Sequence, residues 1–117
     1  MEGIVVGGNI RCFLKLAGTK YWPDVDGKIL LLESLSGREA KISTCLNQLS
    51  QIGVFEKISG LLLGTFTEMN ACSLTSELYE MVRSYVSEQL PIAVTRQIGH
   101  GVDSKAIKIG ENMCLFT

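Results

Sequence analysis

Two residues in this sequence could act together in acid–base chemistry. Glu33 closes the apolar segment GKILLLE, and His100, the single histidine of the 117 residues, lies between glycines in QIGHG. A carboxylate that accepts a hydrogen bond from one imidazole nitrogen fixes the tautomer of the ring, so the other nitrogen can act as a general base. The pair predicts a general-base site. A solvated strand-end carboxylate beside an ordinary loop histidine is the alternative interpretation.

A nucleophile to accompany this pair is not evident from the sequence. The chain contains no GxSxG motif, in which a strand–turn–helix exposes a reactive serine. Ser34, Ser36 and Ser104 lie near the pair in sequence but lack this context, so we expect turn residues. Cys12 and Cys45 lie within helical patterns and are predicted to face the core, as reduced thiols.

The sequence also contains residues that could form an anion site or a metal site. The segment VGGN, ending at Asn9, joins a strand to a helix, where backbone N–H groups can bind an anion. It lacks both GxGxxG and GxxxxGK[ST], so Asn9 is better interpreted as a helix N-cap. Glu33, His100 and Asp103 could surround a metal, but one histidine with carboxylates at unrelated spacing is a poor zinc signature. We predict no metal and no cofactor.

The periodicity of apolar residues predicts the elements that would hold these side chains. Strands are expected at 4–6, 29–33, 61–66 and 91–94, and helices at 10–17, 42–52 and 76–89. The four apolar residues 29–32 predict a strand that is covered on both faces, as in a parallel sheet with helices above and below. Segments 106–109 and 113–116 flank a Gly-Glu-Asn turn and predict an antiparallel hairpin. This order favours a three-layer α/β domain with a mostly parallel sheet and a C-terminal antiparallel hairpin.

In such a sheet, the loops at the carboxyl ends of the strands converge and form sites. Glu33 follows one predicted strand and His100 follows another, so both side chains are expected at the same edge.

Composition and charge exclude several classes of function. Hydrophobic residues make up 46% of the chain and charged residues 20%, which is typical of one globular domain over 1–117. The net charge is −1 without a Lys/Arg cluster, so nucleic acid is not an expected partner. The apolar runs are strand-sized, so no membrane span is expected. The N-terminal MEGIVVGGN lacks the features of a signal peptide, which favours a cytoplasmic location.

Four motifs, in order, cover nearly the whole chain: VGGN, GTKYWPDVDGKILLLE, LNQLSQIGVFEKISGLLLGTF and IGHG. Together they resemble the C-terminal domain of LD-carboxypeptidases and the related microcin-immunity hydrolases. The resemblance implies a swivelling-type β/β/α domain and a Ser-His-Glu triad split between two domains. The acid of that triad falls on Glu33 and the histidine on His100. The serine would belong to an N-terminal domain, which we expect to be absent from 1–117.

The resemblance also implies an activity. Such enzymes hydrolyse the bond between an L-centre and a terminal D-alanine in cytoplasmic murein peptides, without metal or cofactor, as homodimers in cell-wall recycling. The chain alone is expected to be inactive, because loss of the serine removes most of the rate enhancement of a triad. Three alternatives remain: a non-catalytic peptide- or protein-binding module, a hydrolase of peptidyl-nucleotide antibiotics, and a phosphate-binding domain at Gly7 and Gly8.

Overall fold

The apolar segments form one sheet in the computed structural model, which describes residues 1–115. The strands are β1 (Glu2–Asn9), β2 (Ile29–Ser34), β3 (Gly60–Phe66), β4 (Ile92–Val94) and β5 (Asn112–Cys114). Their order is β4-β3-β2-β1-β5, with β1 to β4 parallel and β5 antiparallel to β1. The predicted α/β class, with a mostly parallel sheet and an antiparallel edge, is confirmed. The carboxyl ends of β1 to β4 therefore share one edge.

Helices alternate with the parallel strands, as the periodicity predicted. They are α1 (Ile10–Leu14), α2 (Glu39–Gln51), α3 (Val54–Lys57), α4 (Thr67–Ala71) and α5 (Thr75–Tyr85). Helix α1 is shorter than predicted, because residues 15–18 continue in turns. Helix α4 lies between the strand predicted at 61–66 and the helix predicted at 76–89, where no element was predicted, and its buried Met69 anchors it. Within residues 1–115, no helix is long and apolar enough to cross a membrane.

One face of the sheet packs against the helices. Alternate strand residues, such as Leu30, Leu32 and Leu61, point to this side and join a buried cluster. Helix α2 contributes Leu46 and α5 contributes Leu78, both within the same cluster. All of the helices of residues 1–115 contribute side chains here, and we call them the helix cover.

The opposite face is covered differently. It buries Val5, Ile29, Leu31 and Leu62, and the side chains packed against them include Ile98, Ile107 and Met113. We call residues 95–111, the chain between β4 and β5, the extended cover, because it contains no helix and no strand. The prediction that the strands are covered on both faces is confirmed. The prediction of helices above and below is wrong, since this second cover consists of bends, turns and irregular chain.

The C-terminal hairpin is a second correction. Residues 106–109 form no strand, and β5 pairs with β1, in the register Gly3 with Met113. The turn also bonds to β1: the Gly110 N–H donates to the Val5 carbonyl at 2.7 Å, and the Val5 N–H donates to the Glu111 carbonyl at 3.1 Å. The free edge of β1 offered unpaired backbone groups, and pairing with β5 satisfies them. Phe116, the last residue of the predicted hairpin, lies outside the described residues.

Candidate active site

Glu33 lies at the carboxyl end of β2, in register with Asn9 of β1. Side chains alternate along a strand, so Glu33 shares its face with Leu31, which is the face under the extended cover. The residue is only 9% exposed. Few carboxylates are buried this deeply without a partner that offsets the lost hydration.

The extended cover carries His100 toward this carboxylate. The Thr95 N–H donates to the Leu63 carbonyl at 2.9 Å, and the Thr65 N–H donates to the Ile98 carbonyl at 2.8 Å. These bonds fasten the chain after β4 along the end of β3, two residues before His100. The position of the histidine is therefore set by backbone pairing.

Gly64 is what permits this close approach. A Cβ atom at this position would stand 2.6 Å from the Ile98 carbonyl oxygen and 3.0 Å from the Cβ of Glu33. Real Cβ atoms essentially never approach backbone oxygen at the shorter distance. The absence of a side chain at Gly64 therefore lets Ile98 of the extended cover lie directly against β3, next to Glu33.

The predicted pair meets at this edge. His100 Nε2 lies 3.2 Å from Glu33 Oε2, with the histidine side chain 42% exposed and the glutamate side chain 11% exposed. The contact has the distance of an ion pair, but Glu33 Oε2 accepts no hydrogen bond from any residue within 1–115. A buried carboxylate oxygen without a donor is costly, so a small rotation that aims the ring N–H at it is favoured. Such a rotation leaves the other ring nitrogen available as a base.

A pocket of about 270 Å³ opens beside the pair. It is lined by Asn9, Arg11, Cys12, Glu33, Ser34, Leu35, Ser36, Lys41 and His100. Most of these side chains are polar, and they come from β1, α1, β2 and α2 as well as from the extended cover. The arrangement can hold a polar ligand next to a general base.

Two of the three serines near the pair have hydroxyl groups that are hydrogen-bonded within the chain, and the third lies in an exposed turn. The buried Ser34 hydroxyl donates to the Ser36 carbonyl at 2.6 Å. The Ser36 hydroxyl accepts from Lys41 Nζ at 3.1 Å. Ser104 is exposed, and its N–H donates to the Gly101 carbonyl in a turn. These contacts agree with the expectation that none of the three is presented as a nucleophile.

The cysteine prediction was wrong for Cys12. Helix α1 buries Ile10, Phe13 and Leu14, which leaves Cys12 exposed and lining the pocket. Helical spacing puts Cys12, two residues after Ile10 and one before Phe13, off the buried face. Cys45 is half-buried beside the helix cover, and burial raises the pKa of its thiol.

The VGGN segment has a structural explanation. The Asn9 side chain accepts a hydrogen bond from the Cys12 N–H at 3.0 Å, which confirms its role as the N-cap of α1. Gly7 has φ +109°, and a Cβ there would collide with the Leu31 carbonyl of the neighbouring strand. Within residues 1–115, no three His, Cys, Asp or Glu side chains are grouped so as to hold a metal ion.

Known proteins are similar to this chain in sequence and in fold. Residues 2–115 match the family described as the LD-carboxypeptidase C-terminal domain. A probable murein peptide carboxypeptidase of Bacillus subtilis (strain 168) is 30% identical over 121 residues, which cover 99% of this chain and 37% of that protein. The microcin C7 self-immunity protein MccF of Escherichia coli is 27% identical over 94 residues, which cover 79% of this chain and 27% of that protein.

Solved structures agree with the sequence relatives. The crystal structure of muramoyltetrapeptide carboxypeptidase from Oxalobacter formigenes superposes with a TM-score of 0.78 and 27% identity, over 96% of this chain and 40% of that one. This chain thus spans about two fifths or less of the length of these three relatives. The match over residues 2–115 places the chain in the LD-carboxypeptidase family, as its C-terminal domain.

Proposed function

We propose that this chain supplies the acid and the base of a Ser-His-Glu triad in a peptidase that removes the terminal D-alanine from cytoplasmic murein peptides. The observation that carries the proposal is the 3.2 Å approach of His100 Nε2 to Glu33 Oε2 at the edge where the strand ends converge. The family and the names of the relatives support carboxypeptidase chemistry on this fold.

In this mechanism Glu33 orients His100 and stabilises the imidazolium that forms. His100 removes the proton from a serine hydroxyl as the oxygen attacks the scissile carbonyl, and then gives that proton to the departing D-alanine amine. Water repeats the sequence on the acyl-enzyme, and the serine is released. The buried position of Glu33 suits an orienting role, and the more exposed His100 suits contact with a substrate.

The serine is proposed to come from a second domain, equivalent to the part of the relatives that this chain does not cover. The hydroxyls of Ser34 and Ser36 are hydrogen-bonded within the pocket wall, and no GxSxG motif occurs in the sequence. The Bacillus subtilis relative is matched over only 37% of its length, so a second domain of such a protein could present the nucleophile. The isolated chain is expected to release no D-alanine.

The murein substrate is preferred over a peptidyl-nucleotide antibiotic on the strength of the relatives. The protein named as a probable murein peptide carboxypeptidase matches 99% of this chain at 30% identity. The microcin self-immunity protein matches 79% at 27% identity. Release of D-alanine from a murein tetrapeptide, compared with cleavage of an aminoacyl sulfamoyl nucleoside, distinguishes the two.

The test joins this chain to the unmatched part of the Bacillus subtilis relative and measures D-alanine release from a murein tetrapeptide. We expect Glu33→Gln to lower kcat by about 10⁴-fold and His100→Ala by about 10⁶-fold, as loss of the triad carboxylate and of the triad histidine does elsewhere. Glu111→Gln, an exposed carboxylate paired with Lys108, is the matched control and should keep full activity. Full turnover by the folded His100→Ala enzyme would overturn the proposal.

A further inference from the structure

The pocket beside the proposed catalytic pair carries an excess of positive charge. Arg11 from α1 and Lys41 from α2 line it together with a single carboxylate, Glu33. Within residues 1–115 neither cation forms an ion pair, whereas Glu33 faces His100. Such a lining favours an anionic ligand, because its two cations exceed its one carboxylate.

The two cations come from helices that pack against each other, α1 and α2, and they line the same pocket. Both act on the half-buried Cys45 thiol, where their charges partly offset the burial that raises its pKa. Lys41 is positioned further by its hydrogen bond to the Ser36 hydroxyl at 3.1 Å. Arg11 follows two residues after Asn9, whose side chain caps the helix that carries it. Local structure therefore positions the Lys41 side chain at the pocket and the turn of helix that carries Arg11.

We infer that Arg11 and Lys41 bind the terminal carboxylate of the peptide substrate. This inference rests on the proposed function, since in a carboxypeptidase the scissile amide is separated from the free carboxylate by one residue. A carboxylate held by Arg11 and Lys41 places that amide in the same pocket as His100. A guanidinium can bind a carboxylate through two parallel hydrogen bonds, and an ammonium adds a point charge.

Cys12 provides a test that needs no catalysis, because its exposed thiol lines the same pocket. In the 117-residue chain, the alkylation rate of Cys12 is measured with iodoacetate, an anion, and with iodoacetamide, its neutral analogue. Both reagents consume the same thiolate, so the ratio of the two rates cancels any change in thiol ionisation and reports the local potential. Peptide mass spectrometry gives the same ratio at the exposed Cys72, outside the pocket, as an internal reference.

We expect the Arg11→Gln/Lys41→Gln double variant to lower the iodoacetate-to-iodoacetamide ratio at Cys12 by about threefold at low salt, because two charges near the thiol are removed. The ratio at Cys72 should not change. Lys57→Gln/Lys108→Gln removes the same charge from exposed positions elsewhere and should leave the Cys12 ratio unchanged. An unchanged Cys12 ratio in the first variant would overturn the inference.

A second measurement uses the assembled enzyme described above. The Arg11→Gln/Lys41→Gln variant should raise KM for the tetrapeptide by about tenfold or more, the size expected when hydrogen bonds to a charged group are lost. Its kcat should fall far less than that of Glu33→Gln. An unaltered KM overturns the inference while leaving the proposed function intact. If the assembled enzyme has no peptidase activity but the Cys12 ratio falls, the proposed function fails and the anion site stands.

Discussion

The two covers of the sheet are built on different physical principles. The helix cover buries large side chains completely, among them Ile42, Leu46 and Leu49 of α2. The extended cover is mostly exposed and packs a few half-buried side chains, such as Ile98 and Ile107, against the opposite face. It is held chiefly by backbone hydrogen bonds to the strand ends.

The cover that buries most of the apolar surface is thus not the one that carries the proposed catalytic histidine. Most of the apolar burial lies under the helices, whereas His100 belongs to the cover with less burial. Glu33, which the proposed mechanism needs fixed, lies on a central strand. Segments with few buried contacts open locally at lower free-energy cost, so the histidine can adjust while the carboxylate stays in place. Substitutions in each cover test this difference.

The largest expected effect on the free energy of unfolding comes from a substitution in the helix cover. Leu46→Ala should lower the free energy of unfolding by about 2–5 kcal/mol, because the fully buried leucine leaves a cavity. Alanine is a better helix former than leucine, so the loss reports packing and not helix propensity. Ile107→Ala on the extended cover is the matched control, with an expected loss of about 1 kcal/mol, since this side chain is already partly exposed. Urea denaturation measures both, and equal losses would mean that the covers contribute alike.

Much of this architecture could be predicted from local sequence patterns. The runs around β2 and β3 identified both strands within one residue of their observed ends, because buried strands are continuous apolar segments. Glu33 at a strand end was identifiable for the same reason. The hairpin prediction failed because the pairing of β5 depends on the free edge of β1, more than 100 residues away in sequence.

The geometry of the site depends on contacts that a sequence pattern does not encode. The approach of His100 to Glu33 requires the hydrogen bond between Thr65 and Ile98, and the space that Gly64 leaves for it. The glycine in LLLGTF is the one local signal, since glycine within a strand often marks a close backbone approach. The Cys12 prediction failed because it rested on the usual burial of free cysteine, whereas the helical spacing of Ile10, Phe13 and Leu14 leaves Cys12 on the other side of α1.

Gly64→Ala should produce the next largest effect, at the junction of the two regions. The added methyl group would meet the Ile98 carbonyl, so the extended cover must move away, at a cost of about 1–3 kcal/mol. Hydrogen exchange should become faster in residues 95–111 and stay slow in α2, and turnover of the assembled enzyme should fall.

Gly3→Ala is the control for this substitution. The position lies in β1, and an added Cβ would meet Ile29 at an ordinary contact distance of 3.5 Å. Its exchange pattern and its turnover should resemble those of the unmodified chain. If Gly64→Ala left exchange in the extended cover unchanged, the backbone junction would not be what positions His100.

The smallest expected effect concerns thiol reactivity, which compares the two covers without any substitution. Cys45 packs beside the helix cover, and Cys114 lies exposed in β5, where the extended cover ends. Burial raises the pKa of the Cys45 thiol, because it disfavours the charged thiolate. Since the thiolate is the reactive form, Cys45 should be alkylated by iodoacetamide a few-fold more slowly than Cys114 near neutral pH, and its rate should continue to rise at higher pH. In urea the two rates should converge, because unfolding removes the burial. A Cys45 rate equal to that of Cys114 in the folded chain would show that α2 shields its side chains no better than the edge strand does.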